Sequence, residues 1–330
     1  MNIPGNFRAF RIRSDAAGYR SGIETVSIDD LSPGEIVVKA AHSSVNYKDA
    51  LAGTGEGKIL RKFPLNGGID VAGHVLASTD PNFKEGDAVL CTGCGLSETR
   101  DGGYSEYTRL ESKWAIALPN GLSLRESMIL GTAGFTAALA LYRMQQNGQT
   151  PDLGPIAVTG ASGGVGTLAI AIFSRAGYTV QALSGKPEHA AFLQSIGASA
   201  VLGREAAITG KAMDSARFGG ALDNVGGPTL AGLLAQTAPY GNVASCGLAG
   251  SHELPSTVMP FIIRGVSLLG IASAGTARPI REAVWQHLAS DWKPAGLATI
   301  CTREIALEQL PEIFPVMLAG ASFGRTLVNM

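Results

Sequence analysis

The chain has 330 residues, enough for one large or two ordinary domains. Hydrophobic residues make up 45% and charged ones 16%, with 43 glycines, a composition that excludes a disordered chain and favours a buried α/β fold with many tight turns. A net charge of −1 excludes a global field that would draw the chain to nucleic acid or to an anionic membrane. The four cysteines give no disulfide framework. No apolar run reaches the ~18 residues of a membrane span, and "MNIPGNFRAFRIR" lacks a signal-type apolar segment, so a cytoplasmic protein is expected.

In chain order, the first 120 residues read as β-rich. "EIVVKAAHSSV" and "DAVLCTG" are short β-branched runs, and turn clusters such as "DLSPGE" and "NFKEGD" separate such runs. "SLRESMILGTAGFTAALALYRMQQNG" opens on Ser123, has Glu126 three residues on and stops at Gly148, which predicts one helix. From Pro155 strands alternate with helices: "PIAVTG", "VGTLAIAIFSRAG", "YTVQALSG", "EHAAFLQSIG", then "ALDNVGG", "TLAGLLAQTA", "GNVASCG" and "VSLLGIAS". Strands separated by helical stretches require crossovers, and so a parallel, doubly wound sheet. Two more helices, "PIREAVWQHLAS" and "ALEQLPEIFPVMLAG", precede a last strand, "RTLVNM". The layout is a β-rich domain over 1–123 and 273–330 with an α/β domain over 124–272 inserted.

"VTGASGGVG" (158–166) contains Ala161-x-Gly163-x-x-Gly166, the dinucleotide fingerprint with alanine at its first place. It follows an apolar strand, opens a helix, and a second strand ends about 20 residues later, as a dinucleotide unit requires. Gly163 lets the backbone approach a pyrophosphate, Gly166 lets helix and sheet pack closely, and the helix N-terminus favours negative charge. At the end of the second strand, where an acid would hold a ribose 2′-hydroxyl, stand Ser184, Gly185 and Lys186. A hydroxyl, a backbone donor and a cation suit a 2′-phosphate, and Arg204 in "VLGRE" offers a second cation, so NADP(H) is the expected cofactor.

The order of domains resembles the medium-chain dehydrogenase/reductases. Their zinc branch carries a cysteine near residue 43 and Gly-His-Glu near residue 68; here stand serines and Gly68-Ile69-Asp70. The chain therefore resembles the zinc-independent quinone-oxidoreductase branch, and no metal is expected. Closer still, "SSVNYKDALAGTGEGKILRKFP", "ILGTAGFTAALAL", "VTGASGGVG", "CGLAG", "LPSTVMPFIIR" and "GRTLV" resemble NADPH-dependent acryloyl-CoA reductases. The resemblance implies a GroES-like catalytic domain beside a Rossmann domain. It implies cofactor contacts at Tyr47, at Ser162, Gly163, Gly164 and Val165, and at Ser184, Gly185, Lys186 and Arg204. It also implies contacts at Leu248, Ile262, Ser273 and Arg325.

Reduction of an activated double bond needs hydride at the β-carbon, a proton at the α-carbon and donors to the thioester oxygen. Tyr47 is the side chain expected to touch the nicotinamide or supply the proton, with a packing wall and a solvent proton as alternatives. Lys58, Arg61 and Lys62 form a basic cluster that could meet coenzyme A phosphates or be a solvated turn. Cys91-x-x-Cys94 lacks a partner pair and reads as small apolar residues. The apolar stretch 264–273 would be the sheet's last strand, an edge that invites a two-fold homodimer. The reading is an NADPH-dependent reductase of acryloyl-CoA, with a quinone or small-enone reductase, or a non-catalytic NADPH-binding sensor or structural protein, as alternatives.

Overall fold

A computed structural model describes residues 3–330. The chain forms two compact units: one holds the residues up to Thr132 with Ala274–Glu282 and Cys301–Met330, the other Ala133–Ser273 with Ala283–Ile300. Residues 124–132 and 283–300 fall on the other side of the limits read in the sequence. In the second unit Trp285 is fully buried and stacks on Phe135 at 6.1 Å, which draws the 283–300 segment there.

In the first unit the strands run, in spatial order, Cys301–Ala306, Arg325–Asn329, Ile36–Ser44, Asp70–Ser78, Ala88–Thr92 and Ile116–Ala117, and Tyr107–Leu110 also pairs with Ile36–Ser44. The C-terminal strand lies antiparallel to Ile36–Ser44, with Leu327 opposite Ser44 and Val328 opposite Ser43. A smaller sheet of Gly18–Val26, Phe7–Asp15 and Leu65–Asn66 completes the unit. Its apolar interior includes Phe10, Ile12, Val45, Leu65, Tyr104 and Phe314. Cys91 and Cys94 sit in a second apolar cluster with Val71, Val75 and Val89, and the Cys91 thiol is pushed well up by its hydrogen bond with Cys94 and by burial.

In the second unit six parallel strands run in the order Ala198–Leu202, Val180–Leu183, Ile156–Thr159, Phe218–Asp223, Thr237–Ser245, Ser267–Gly270. The chain starts in the middle, winds out one way, then returns and winds out the other. The strand order reverses between Ile156–Thr159 and Phe218–Asp223, and ligands of such sheets bind outside the carboxyl ends at that point. Every residue of those two strands is buried, Thr159 and Asp223 at their carboxyl ends included. Ser267–Gly270 is an edge strand of this sheet. No helix among the described residues is long and apolar enough to cross a membrane.

Three helices carry or flank residues singled out in the sequence: α1 (Tyr47–Thr54), α2 (Leu124–Gln146) and α3 (Gly164–Arg175). The predicted capping box is present at α2, where the Glu126 carboxylate accepts the Ser123 N–H at 2.9 Å. The single helix expected there is in fact broken at Gly131, which has φ 51° and ψ −156°.

Candidate functional site

The carboxyl end of Ile156–Thr159 carries the glycine loop. Alanine at the fingerprint's first place is compatible with the turn because Gly160, one residue earlier, takes the left-handed conformation at φ 57°. Ser162 is buried, Gly163 caps α3, and Gly164 and Val165 form its half-buried first turn. A Cβ on Gly166 would strike the Gly160 carbonyl and lie 2.7 Å from the Ala161 Cα, so only glycine lets this turn close. A Cβ on Gly163 would meet only the Gly160 oxygen, at 3.3 Å, which leaves an open backbone floor at the helix N-terminus. The floor is braced from the neighbouring strand: Thr159 Oγ1 donates to Asp223 at 2.7 Å, and Asn224 Nδ2 donates to the Thr159 carbonyl at 2.7 Å. Burial pushes the Asp223 carboxyl above its usual range.

The end of Val180–Leu183 brings four predicted residues together. Ser184 is buried, its N–H donates to Leu202 O at 2.9 Å, and its Oγ accepts the Lys186 N–H at 3.1 Å. Arg204 lies directly over Gly185, where a Cβ would come within 2.6 Å of the guanidinium carbon. A hydroxyl, a glycine and two cations thus surround one strand end, a donor set that fits a phosphate monoester. Leu248 follows the Thr237–Ser245 strand and is 68% exposed; Ile262, on Met259–Arg264, is 74% exposed. Ser273 Oγ accepts a hydrogen bond from Thr136 Oγ1 at 2.8 Å.

In the first unit Tyr47 opens α1 and is 54% exposed. The sequence reading assigns no helix here; the signal for one is Asn46-x-x-Asp49, an N-cap followed by an acid at the third helical position. The Asp49 carboxylate accepts the Asn46 N–H at 2.9 Å, Asn46 Nδ2 at 3.1 Å and the Ile69 N–H at 2.9 Å. Burial, reinforced by Asp70, raises its pKa to about 7.

Behind Tyr47 lies a buried polar network. Asp70 Oδ2 accepts Ser44 Oγ at 2.6 Å, Asn46 Nδ2 at 2.8 Å and the Thr132 N–H at 2.9 Å, while Oδ1 accepts Thr132 Oγ1 at 2.6 Å. Arg325 is 3% exposed, and its guanidinium donates to Ile129 O, Val45 O, Asn46 Oδ1 and Ser44 Oγ at 2.7–3.2 Å. Ser44 and Asn46 therefore each bridge the Asp70 carboxylate and the Arg325 guanidinium. Such a pair is tolerated in an apolar interior only when both charges are fully hydrogen-bonded. These residues do not fit a zinc ion. Ser43 donates to Asp70 O at 2.6 Å, every acceptor of the Asp70 carboxylate faces a donor, and no group of three His, Cys, Asp or Glu side chains suited to a metal occurs among the described residues.

Lys58, Arg61 and Lys62 are exposed on the segment after α1. Arg61 and Lys48 both pair with Glu98, each at 3.3 Å.

Two family models match the chain: an alcohol dehydrogenase GroES-like domain over residues 32–120 and a zinc-binding dehydrogenase over residues 164–290. Bacillus subtilis YhfP, named a putative quinone oxidoreductase, is 45% identical over 98% of this chain and 99% of its own. Its crystal structure with NAD bound matches 99% of this chain and 100% of its own with a TM-score of 0.96. The probable acrylyl-CoA reductase AcuI of Escherichia coli is 44% identical over 94% of this chain and 95% of its own. The yhdH oxidoreductase of Salmonella enterica, solved in complex with NADP, is 41% identical, with a TM-score of 0.94 over 98% of this chain and 99% of its own.

Proposed function

The chain belongs to the medium-chain dehydrogenase/reductase family, and from that premise we propose that it is an NADPH-dependent reductase of the carbon–carbon double bond of acryloyl-CoA. The observation that carries the cofactor half is Arg204 lying over Gly185 beside Ser184 and Lys186, a seat for a 2′-phosphate. The likeness to the E. coli reductase along nearly the whole chain supports the substrate.

Bound NADPH supplies the hydride. The chain's own part begins with Ser162, Gly163, Gly164 and Val165, which hold the pyrophosphate on the N-terminus of α3. Ser184, Gly185, Lys186 and Arg204 hold the 2′-phosphate. Leu248, Ile262 and Ser273 complete the proposed contact set. Arg325, expected as a cofactor contact, takes part instead by holding Ser44, Val45 and Asn46, the residues that precede Tyr47, because its donors are committed there. The Tyr47 hydroxyl, exposed at a capped helix start, contacts the nicotinamide or protonates the α-carbon. Zinc takes no part, so chelators leave turnover unchanged. We place the protein in the cytoplasm.

A panel of acryloyl-CoA, crotonyl-CoA and a simple quinone tests the reading. Acryloyl-CoA is expected to be the best acceptor, crotonyl-CoA weaker and the quinone poor. Equal turnover of the quinone would replace this reading with the quinone-reductase one, which the likeness to YhfP favours. Bound NADPH without turnover of any acceptor would favour a sensor or structural protein.

A further inference from the structure

A partly exposed stripe runs along α1 from Tyr47. Tyr47 is exposed, Leu51 half-buried and Gly55, the left-handed C-cap at φ 80°, exposed again. Residues four apart share a helix face, and at 1.5 Å per residue these three span about 12 Å. The far end of the stripe is a patch of different character. The Tyr19 ring lies over Gly55, where a Cβ would meet it at 2.8 Å. Phe63 meets Tyr19 edge to face at 5.8 Å, and both rings are 39% exposed. The base of the patch is fixed, because the Tyr19 hydroxyl donates to Ala52 O and Ser21 Oγ donates to Gly53 O, occupying carbonyls of the last turn of α1.

Charge distinguishes this patch from an ordinary aromatic pair. The 55–64 segment holds Lys58, Arg61 and Lys62 against a single acid, Glu56. Arg61 and Lys48, the residue after Tyr47, share the single carboxylate of Glu98. Lys58 and Lys62 are exposed and have no ion pair among the described residues. Partly exposed rings near cations that pair with no acid recognise a ligand that carries both a planar heterocycle and phosphates.

We propose that Tyr19, Phe63, Lys58 and Lys62 seat the adenine and phosphates of coenzyme A, with the pantetheine arm lying along the Tyr47–Leu51–Gly55 stripe. The inference rests on the acyl-CoA reading above and extends it to the nucleotide end of the substrate. A three-carbon acyl group has too little apolar surface to be held by itself, so the distant nucleotide supplies the binding that positions the double bond.

The test compares acryloyl-CoA with acryloyl-pantetheine, which has the same reacting end and no nucleotide. The readout is the ratio of their kcat/KM values. Phe63→Ala and the double change Lys58→Ala with Lys62→Ala are each expected to lower that ratio about fivefold to a hundredfold, and Phe63→Trp to restore it. A ratio unchanged in both variants overturns the proposal, and so does an equal loss with both substrates. Binding of adenosine 3′,5′-bisphosphate to protein saturated with NADP⁺ separates this inference from the reading beneath it. If neither thioester is reduced but the nucleotide binds and the same variants weaken it, the patch stands and only the acyl-CoA reductase reading fails. If the nucleotide does not bind the wild type, the patch is not its seat.

Discussion

Lys186 and Asp49 show two ways in which one charge matters. Lys186 is expected to read the 2′-phosphate through a charge-assisted hydrogen bond worth roughly 1.5–3 kcal/mol. Lys186→Ala should therefore raise the KM for NADPH about ten- to a hundredfold and leave that for NADH nearly unchanged. Equal losses in steady-state assays with the two cofactors would show that Lys186 does not read the phosphate. Asp49 is buried, and its pKa rises from an ordinary 3.8 to about 7. The folded state thus binds a proton that the unfolded chain has released over that range. The resulting stabilisation is full below about pH 4 and is lost as the pH rises through 7. Asp49→Asn cannot ionise, so its stability should fall less than the wild type's between pH 5 and pH 8 in denaturant titrations. The proposed phosphate seat rests on neighbours in sequence and one later cation. Asp49 and Asp70 escaped it because nothing in their local sequence says that a carboxylate will be buried.

At the scale of elements, the break in α2 is the clearest case. A residue with φ 51° and ψ −156° favours glycine, and a Cβ on Gly131 would sit 2.5 Å from Asp70 Oδ2, 2.6 Å from Ser44 Oγ and 2.9 Å from Arg325 Nη2. Gly131→Ala should destabilise the protein by about 2–4 kcal/mol through backbone strain and intrusion into the network. The measurement is a denaturant midpoint, and no change would mean that the network yields. The helical period of 124–146 is genuine on both sides of Gly131, so periodicity could not reveal a break imposed by three partners far off in the chain. α1 was missed for the opposite reason. It is a short helix with four buried residues, and its cap, not its apolar pattern, marks it.

For the whole molecule, association is the open property, and we propose a two-fold homodimer through the edge strand Ser267–Gly270. Leu268 and Leu269 are only half-buried there, and Tyr240, Val258 and Ile263 of the same unit are exposed. An unpaired apolar edge invites pairing with a second copy. Light scattering at micromolar concentration should give the mass of a dimer, and Leu268→Lys should shift it towards the monomer. A monomeric wild type would contradict the proposal, as would an unchanged mass in the variant.

What the sequence determined alone is what local physics controls. The parallel sheet follows from strands separated by helices that need crossovers, and the tight turn into α3 from glycines at fixed spacing after a strand. The tertiary structure decided what depends on residues distant in the chain. Arg325 reaches Ser44, Asn46 and Ile129 only because the C-terminal strand pairs with Ile36–Ser44. Tyr19 meets Gly55 and Phe63 only because the Phe7–Val26 hairpin lies beside the end of α1. A charge can be buried, and an aromatic pair can form beside a cluster of lysines, only where the fold brings complementary groups within hydrogen-bond or stacking distance. Sequence separation does not record that distance.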